Sequence, residues 1–215
     1  MKTMCRIAVL SLCAGAATVN ADPVELSFYR ISSNAAQNIE AQLHCVVSEV
    51  SSSTVSFKFT NLVGVSSSVS EIYFDDGPFL QVAPTLFQFG TNFTGGGASP
   101  SNLPGGNTLS PPFNATQIFS ADAVGNPSNG ISTATDWLDM HFTLVSGTNF
   151  GDVVDALTTG ALRIGLHVRA IGPGEESDSF VNVPTVVPLP PSAWAGLACM
   201  AGIGTVRVIR RRTGR

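Results

Sequence analysis

Cysteine is scarce in this chain, and its scarcity limits how the fold can be held together. Three of the four cysteines lie in hydrophobic terminal segments, which leaves Cys45 alone in the body of the chain. A single cysteine cannot form an intramolecular disulfide. We therefore interpret Cys45 as a small buried hydrophobic residue in a fold that is stabilised by its core alone.

Basic residues are almost as scarce between the two ends. All 15 acidic residues lie within residues 22–187, where only Arg30, Lys58, Arg163 and Arg169 oppose them, so this segment carries a formal charge of −11. Nucleic-acid binding requires clustered cations. We therefore exclude nucleic acid as a partner.

Sequence patterns of known catalytic sites are also lacking. The chain has no Gly-x-Ser-x-Gly elbow, no His-Glu-x-x-His motif and no phosphate-binding glycine loop. Its three histidines, His44, His141 and His167, are too far apart in sequence to predict a shared metal site. We predict that the protein is not an enzyme. A secreted hydrolase, which needs two acidic residues converging in a cleft, is the least favoured alternative.

Residues 1–21 have the layout of a secretory signal peptide. Lys2 and Arg6 make the start positive, residues 7–17 form an apolar stretch, and residues 19–21 place small side chains before a cleavage point. We predict that the chain is exported.

The C-terminal end has three successive parts. Residues 184–191 are a proline-rich spacer, which we expect to be extended and hydrogen-bonded to water because proline fixes φ and lacks an N–H donor. Residues 192–209 are predicted to form a single transmembrane helix with Trp194 at the interface, and a buried core helix is the alternative. Residues 210–215 are predicted to be a cytoplasmic tail. The arginines of this end are Arg207, Arg210, Arg211, Arg212 and Arg215.

This end of the chain resembles the PEP-CTERM sorting signal of Gram-negative bacteria. The matching motif is Val187, Pro188, Leu189, Pro190 and Pro191, and it is followed by the apolar stretch and the arginines. Leu189 departs from the glutamate of the namesake pattern. The resemblance implies an exosortase-type processing enzyme as a partner. It also implies membrane anchoring, then delivery to the cell surface or to an exopolysaccharide matrix.

Residues 22–183 consist of short runs in which apolar and polar residues alternate. Residues 39–47 and 162–169 are clear examples, and the latter predicts a strand with alternate side chains in the core. Residues 152–157 are the one predicted helix, which Thr148 or Asn149 can cap. The many strands and Gly/Ser/Pro turns predict an all-β fold, an antiparallel β-sandwich with one short helix.

Residues 90–110 are rich in glycine, serine and proline, which predicts a long loop without regular structure. Four segments, residues 73–77, 99–107, 162–171 and 177–182, are similar to uncharacterised ectodomains that often accompany this sorting tail. That resemblance implies a cellular location and does not imply a molecular activity.

Acidic residues at one turn offer a candidate cation site. Asp75 and Asp76 precede a glycine between two apolar runs, and crowded carboxylates suit Ca²⁺. Asp136 and Asp139 are a second possibility. A hairpin turn that uses Asp for local hydrogen bonds is the simpler interpretation, so no cofactor is predicted and Ca²⁺ is the alternative.

We predict an exported, non-enzymatic cell-surface or matrix protein associated with exopolysaccharide. The alternative is a carbohydrate-binding β-sandwich module, which would display aromatic residues along one sheet or a loop. Trp137 and Tyr73 are the candidates for that role, although we expect Trp137 to belong to the core.

Overall fold

A computed structural model describes residues 21–62 and 64–188. The described strands and helix are β1 (Val24–Arg30), β2 (Leu43–Ser51), β3 (Thr54–Asn61), β4 (Ser68–Asp76), β5 (Thr85–Phe89), β6 (Phe93–Gly95), β7 (Ala121–Ala123), β8 (Trp137–Thr143), α1 (Phe150–Thr159), β9 (Leu162–Ile171) and β10 (Glu176–Pro188). The predicted signal peptide (apart from Ala21), Leu189 to Pro191, the predicted transmembrane helix and the arginines lie outside these residues. None of the described helices is long and apolar enough to cross a membrane.

All ten strands belong to one antiparallel sheet. Their order is β5-β8-β3-β2-β1-β10-β9-β4-β7-β6. This confirms the predicted all-β, antiparallel class with one short α-helix among the described residues. The sheet folds over on itself, because the Phe74 ring of β4 lies 5.1 Å from that of Phe57 on β3 and 4.8 Å from that of Phe142 on β8. Its two halves therefore enclose a single core.

The alternation of β9 is confirmed by burial. Its inward set is fully buried and comprises Leu162, Ile164, Leu166 and Val168. Cys45 is also buried as expected and has no disulfide partner. Burial raises the pKa of the Cys45 thiol well above its usual value, so the side chain stays neutral and acts as a hydrophobic residue.

Helix α1 begins two residues before and ends two residues after the predicted segment. Asn149 accepts hydrogen bonds from the N–H groups of Gly151 and Asp152, and Asp152 accepts one from Asn149 N at 2.8 Å. This capping box satisfies donors that the first helical turn leaves free. Gly160, at φ 77°, ends the helix in the left-handed conformation.

Strand β10 extends beyond the predicted domain boundary at residue 183. Pro188 pairs with Val24 and Val187 with Glu25, so residues 184–188 of the predicted spacer continue the sheet. Residues 184–188 are therefore extended as expected, but the expectation that they hydrogen-bond to water is wrong where they pair with β1. Beyond Val181, β10 no longer pairs with β9, and β1 is its strand partner among the described residues. Proline is tolerated in edge strands, where one side of the backbone needs no hydrogen-bond donor for a neighbouring strand.

The glycine-rich segment is more ordered than we predicted. Residues 93–95 form β6, and residues 96–116, which we call the covering loop, pack on the outer face of β4, β9 and β10. Gly165 makes this approach possible, because a Cβ there would lie 2.7 Å from Leu103 Cδ2. The second buried cluster that results comprises Tyr73, Leu103, Phe113 and Val181.

Candidate functional site

The outer face of β3, β5 and β8 carries exposed aromatic side chains. On β8, Leu138 and Met140 are buried, so the pleat turns Trp137 away from the core. On β5, Phe87 and Phe89 are 48% and 59% exposed. We call the surface formed by Phe87, Phe89, Trp137 and the polar side chains between them the aromatic face.

Strand register brings these rings together. Phe89 pairs with Trp137, and Phe87 pairs with Asp139. Side chains that face each other across an antiparallel pair have Cβ atoms about 5 Å apart. The Phe87 ring also lies 4.6 Å from the ring of His141. The result is an exposed apolar strip at the edge of the sheet, of the kind that marks a binding surface.

Polar groups border the rings. Ser56 Oγ donates to Asp139 Oδ1 at 2.5 Å, and His141 Nε2 lies 3.1 Å from Asp139 Oδ2. Nucleophilic catalysis needs the histidine between the serine and the carboxylate, whereas here the carboxylate stands in the middle. The arrangement therefore supplies hydrogen-bonding groups and does not activate Ser56.

Lys58 completes the aromatic face. Its register partner on β8 is Asp139, and its ammonium lies 4.5 Å from the centroid of the Trp137 ring. A cation over an indole is attracted by the negative face of the ring. The side chain is therefore held on the aromatic face while it stays exposed to solvent.

The calcium candidates Asp75 and Asp76 are not brought onto one site. Asp75 faces the covering loop, where Arg163 pairs with it and Asn114 N donates to it at 3.1 Å. Asp76 points to the other side of β4 and accepts from Leu80 N at 3.0 Å. Burial raises the pKa of Asp76 to about 6. The described residues contain no group of three or more metal-ligating side chains.

The second pair of acidic candidates is also separated. Asp136 closes a turn by accepting from Ser132 N at 3.0 Å and Thr133 N at 2.8 Å. Asp139 belongs to the aromatic face. These contacts give each carboxylate a structural partner of its own.

The two aromatic candidates have opposite positions. Tyr73 is buried under the covering loop and donates to Pro100 O at 2.9 Å, and burial raises its pKa above the ordinary value. The expectation that Trp137 belongs to the core is wrong, because Leu138 and Met140 occupy the inward positions of β8. Phe87 and Phe89 were not expected, since sequence alone favours placing such residues inside.

The three histidines remain apart, and each contacts its own carboxylate. His44 Nδ1 lies 2.7 Å from Glu25, and His167 Nδ1 lies 2.6 Å from Glu71. Glu71 also stands across from Asp122, and burial, with Glu71 nearby, raises the pKa of Asp122. Glu71 is only 2% exposed, which leaves little of it for a substrate to reach.

A polar pocket of about 330 Å³ lies between the start of β4 and the turn after β9. Ala170 and Glu175, which both have positive φ, line it together with several serines. It offers hydrogen bonds but no aromatic ring on which a ligand could stack. The aromatic face has both hydrogen-bonding groups and aromatic rings, so it is the stronger candidate for a ligand-binding site.

Comparison with protein-family models, with curated proteins and with solved structures found no match. The candidate site therefore depends on its own geometry.

Proposed function

We propose that the chain is an exported, non-enzymatic protein of the cell envelope whose β-sandwich domain binds polysaccharide through the aromatic face. The observation that carries this proposal is that the exposed Phe87 and Phe89 and the half-buried Trp137 lie on one side of adjacent strands. Aromatic rings offer a flat apolar surface at low conformational cost, and sugar rings present C–H faces that pack on it.

The polar groups of the aromatic face fit the same ligand. Asp139 and His141 lie half-buried beside the rings, where a sugar hydroxyl can exchange hydrogen bonds with them, and the buried Ser56 holds Asp139 in place. A ligand of this kind needs neither a metal nor a deep cleft. The proposal uses no cofactor.

The location of the protein is proposed from its two ends. The signal-peptide layout of residues 1–21 supports export, and the resemblance of residues 187–212 to a PEP-CTERM signal supports a transmembrane helix at 192–209 and an exosortase-type partner. Delivery to the surface would put the aromatic face in contact with exopolysaccharide. Cell fractionation and mass spectrometry of the native C-terminus test this part, and recovery of the intact chain from the cytosol would overturn it.

Binding is tested with the full chain by affinity electrophoresis in gels that contain a panel of polysaccharides. Phe87→Ala and Phe89→Ala should each weaken binding about threefold to tenfold, since an aromatic contact is worth about 0.5–1.5 kcal/mol. Ile118→Ala is the matched control, because Ile118 is 49% exposed, lies in the 3-10 helix of residues 117–119 and is not part of the aromatic face. Equal losses in the control and in Phe87→Ala would contradict the proposal, as would no retardation by any polysaccharide.

A further inference from the structure

We infer that the aromatic face is selective for acidic polysaccharides, with Lys58 pairing with the carboxylate of a uronic acid. This inference rests on the proposed function and names the chemical class of its ligand. It starts from the distribution of positive charge over the described domain.

Three of the four basic residues of the domain are already paired. Arg30 lies 2.6 Å from Asp178, Arg163 pairs with Asp75, and Arg169 lies 3.7 Å from Glu71. Lys58 makes no ion pair within residues 21–62 and 64–188. Lys58 is therefore the basic side chain of these residues whose charge is left for a ligand.

The neighbouring carboxylate does not take up this charge. Asp139 is the register partner of Lys58, but its two oxygens are engaged by Ser56 and His141. The ammonium lies over the Trp137 ring instead. The ring face offers no hydrogen-bond acceptor of the ordinary kind, so the three N–H donors of Lys58 stay available to a ligand.

The position of the charge selects the ligand. A sugar ring stacked on Phe89 and Trp137 would hold its substituents beside the Lys58 ammonium, where a carboxylate can form a charge-assisted hydrogen bond. The charge of −11 on residues 22–187 repels polyanions at long range, but charges separated by more than about 8 Å are largely screened at physiological ionic strength. At contact, the Lys58 ammonium is the group of the aromatic face that can pair with a ligand carboxylate, and the neighbouring Asp139 carboxylate keeps the expected preference small.

The test compares two polymers with the same backbone, polygalacturonate and its carboxyl-reduced, neutral derivative, in a chelating buffer with the full chain. We expect the wild type to bind polygalacturonate about threefold to fivefold more tightly, the effect of one exposed ion pair. Added salt should reduce this preference. Lys58→Gln should abolish this preference, so that the variant binds the acidic and the neutral polymer equally.

Lys58→Arg is the matched control, because it keeps the charge and should keep the preference. Equal binding of both polymers by the wild type, or a preference retained in Lys58→Gln, overturns the inference and leaves the proposed function standing. Loss of the preference in Lys58→Arg as well also overturns it, since charge would then not be the cause. Binding of neither polymer overturns the inference, and together with a blank polysaccharide panel it overturns the proposed function too.

Discussion

The two outer faces of this sheet both carry aromatic residues, but one face is covered by a loop and the other is open to solvent. On the half formed by β4, β9 and β10, Tyr73 is covered by residues 96–116 and shares a buried cluster with Phe113. On the half formed by β3, β5 and β8, Phe89 and Trp137 have no such cover among the described residues. Aromatic side chains on an outward face therefore do not by themselves indicate a site. What distinguishes the second face is that the chain leaves it open.

The same contrast holds for the cation on each face. The Arg163 guanidinium lies 5.3 Å from the Phe113 ring, much as Lys58 lies over Trp137. Arg163 also donates to Pro111 O at 2.8 Å and to Pro112 O at 2.6 Å, and it pairs with Asp75. Arg163 therefore uses these N–H donors within the fold, on the covering loop and on Asp75. Lys58 has comparable surroundings without those partners, so its donors remain for a ligand.

The largest expected effect concerns matched ring deletions on the two faces. Phe113→Ala should lower the free energy of unfolding by about 3–5 kcal/mol, because it empties a buried site beneath the covering loop. Phe89→Ala should change it by no more than about 0.5 kcal/mol, as expected for an exposed side chain. Urea unfolding followed by circular dichroism measures both. Similar losses in the two variants would show that the aromatic face is structural after all.

Removal of the two cations gives the next largest difference. Arg163→Ala should cost about 1–3 kcal/mol, because it leaves the largely buried Asp75 carboxylate without its cation and removes two hydrogen bonds to the covering loop. Lys58→Ala should be nearly neutral. Limited proteolysis should then cut within residues 96–116 faster in Arg163→Ala only. A loop equally resistant in both variants would contradict the role given to Arg163.

Local periodicity made much of the fold predictable. The strict alternation of residues 162–168 and the cap at Asn149 are short-range signals, and both predictions are confirmed. The extension of β10 to Pro188 depends on pairing with β1, far away in sequence, so local signals could not reveal it. The order of the covering loop has the same origin, because glycine and proline content says nothing about what a loop packs against.

The site was harder to predict than the fold. Trp137 was expected inside because it is large and apolar. The alternation of apolar Leu138 and Met140 with polar Asp139 and His141 in the same strand, however, places Trp137 on the outward side. Phe87 and Phe89 offered no such signal, since a short strand with two outward aromatics resembles a core strand in sequence. The sorting signal, the signal peptide and the exported location remain predictions.

The smallest expected effect is a pH dependence of stability that comes from Asp76, which points to the opposite side of β4 from Asp75. Because burial raises the pKa of Asp76 from 3.8 to about 6, folding disfavours its charged form, and the cost to stability grows as pH rises from about 4 to about 6. Solvent screening of the partly exposed carboxyl reduces this cost to about 1–2 kcal/mol at neutral pH. The difference in unfolding free energy between Asp76→Asn and the wild type should therefore be more favourable to the variant at pH 7 than at pH 4. Urea unfolding at the two pH values measures this difference. The same difference at both pH values would mean that the acceptor contact with Leu80 N, rather than the buried charge, decides what this residue contributes.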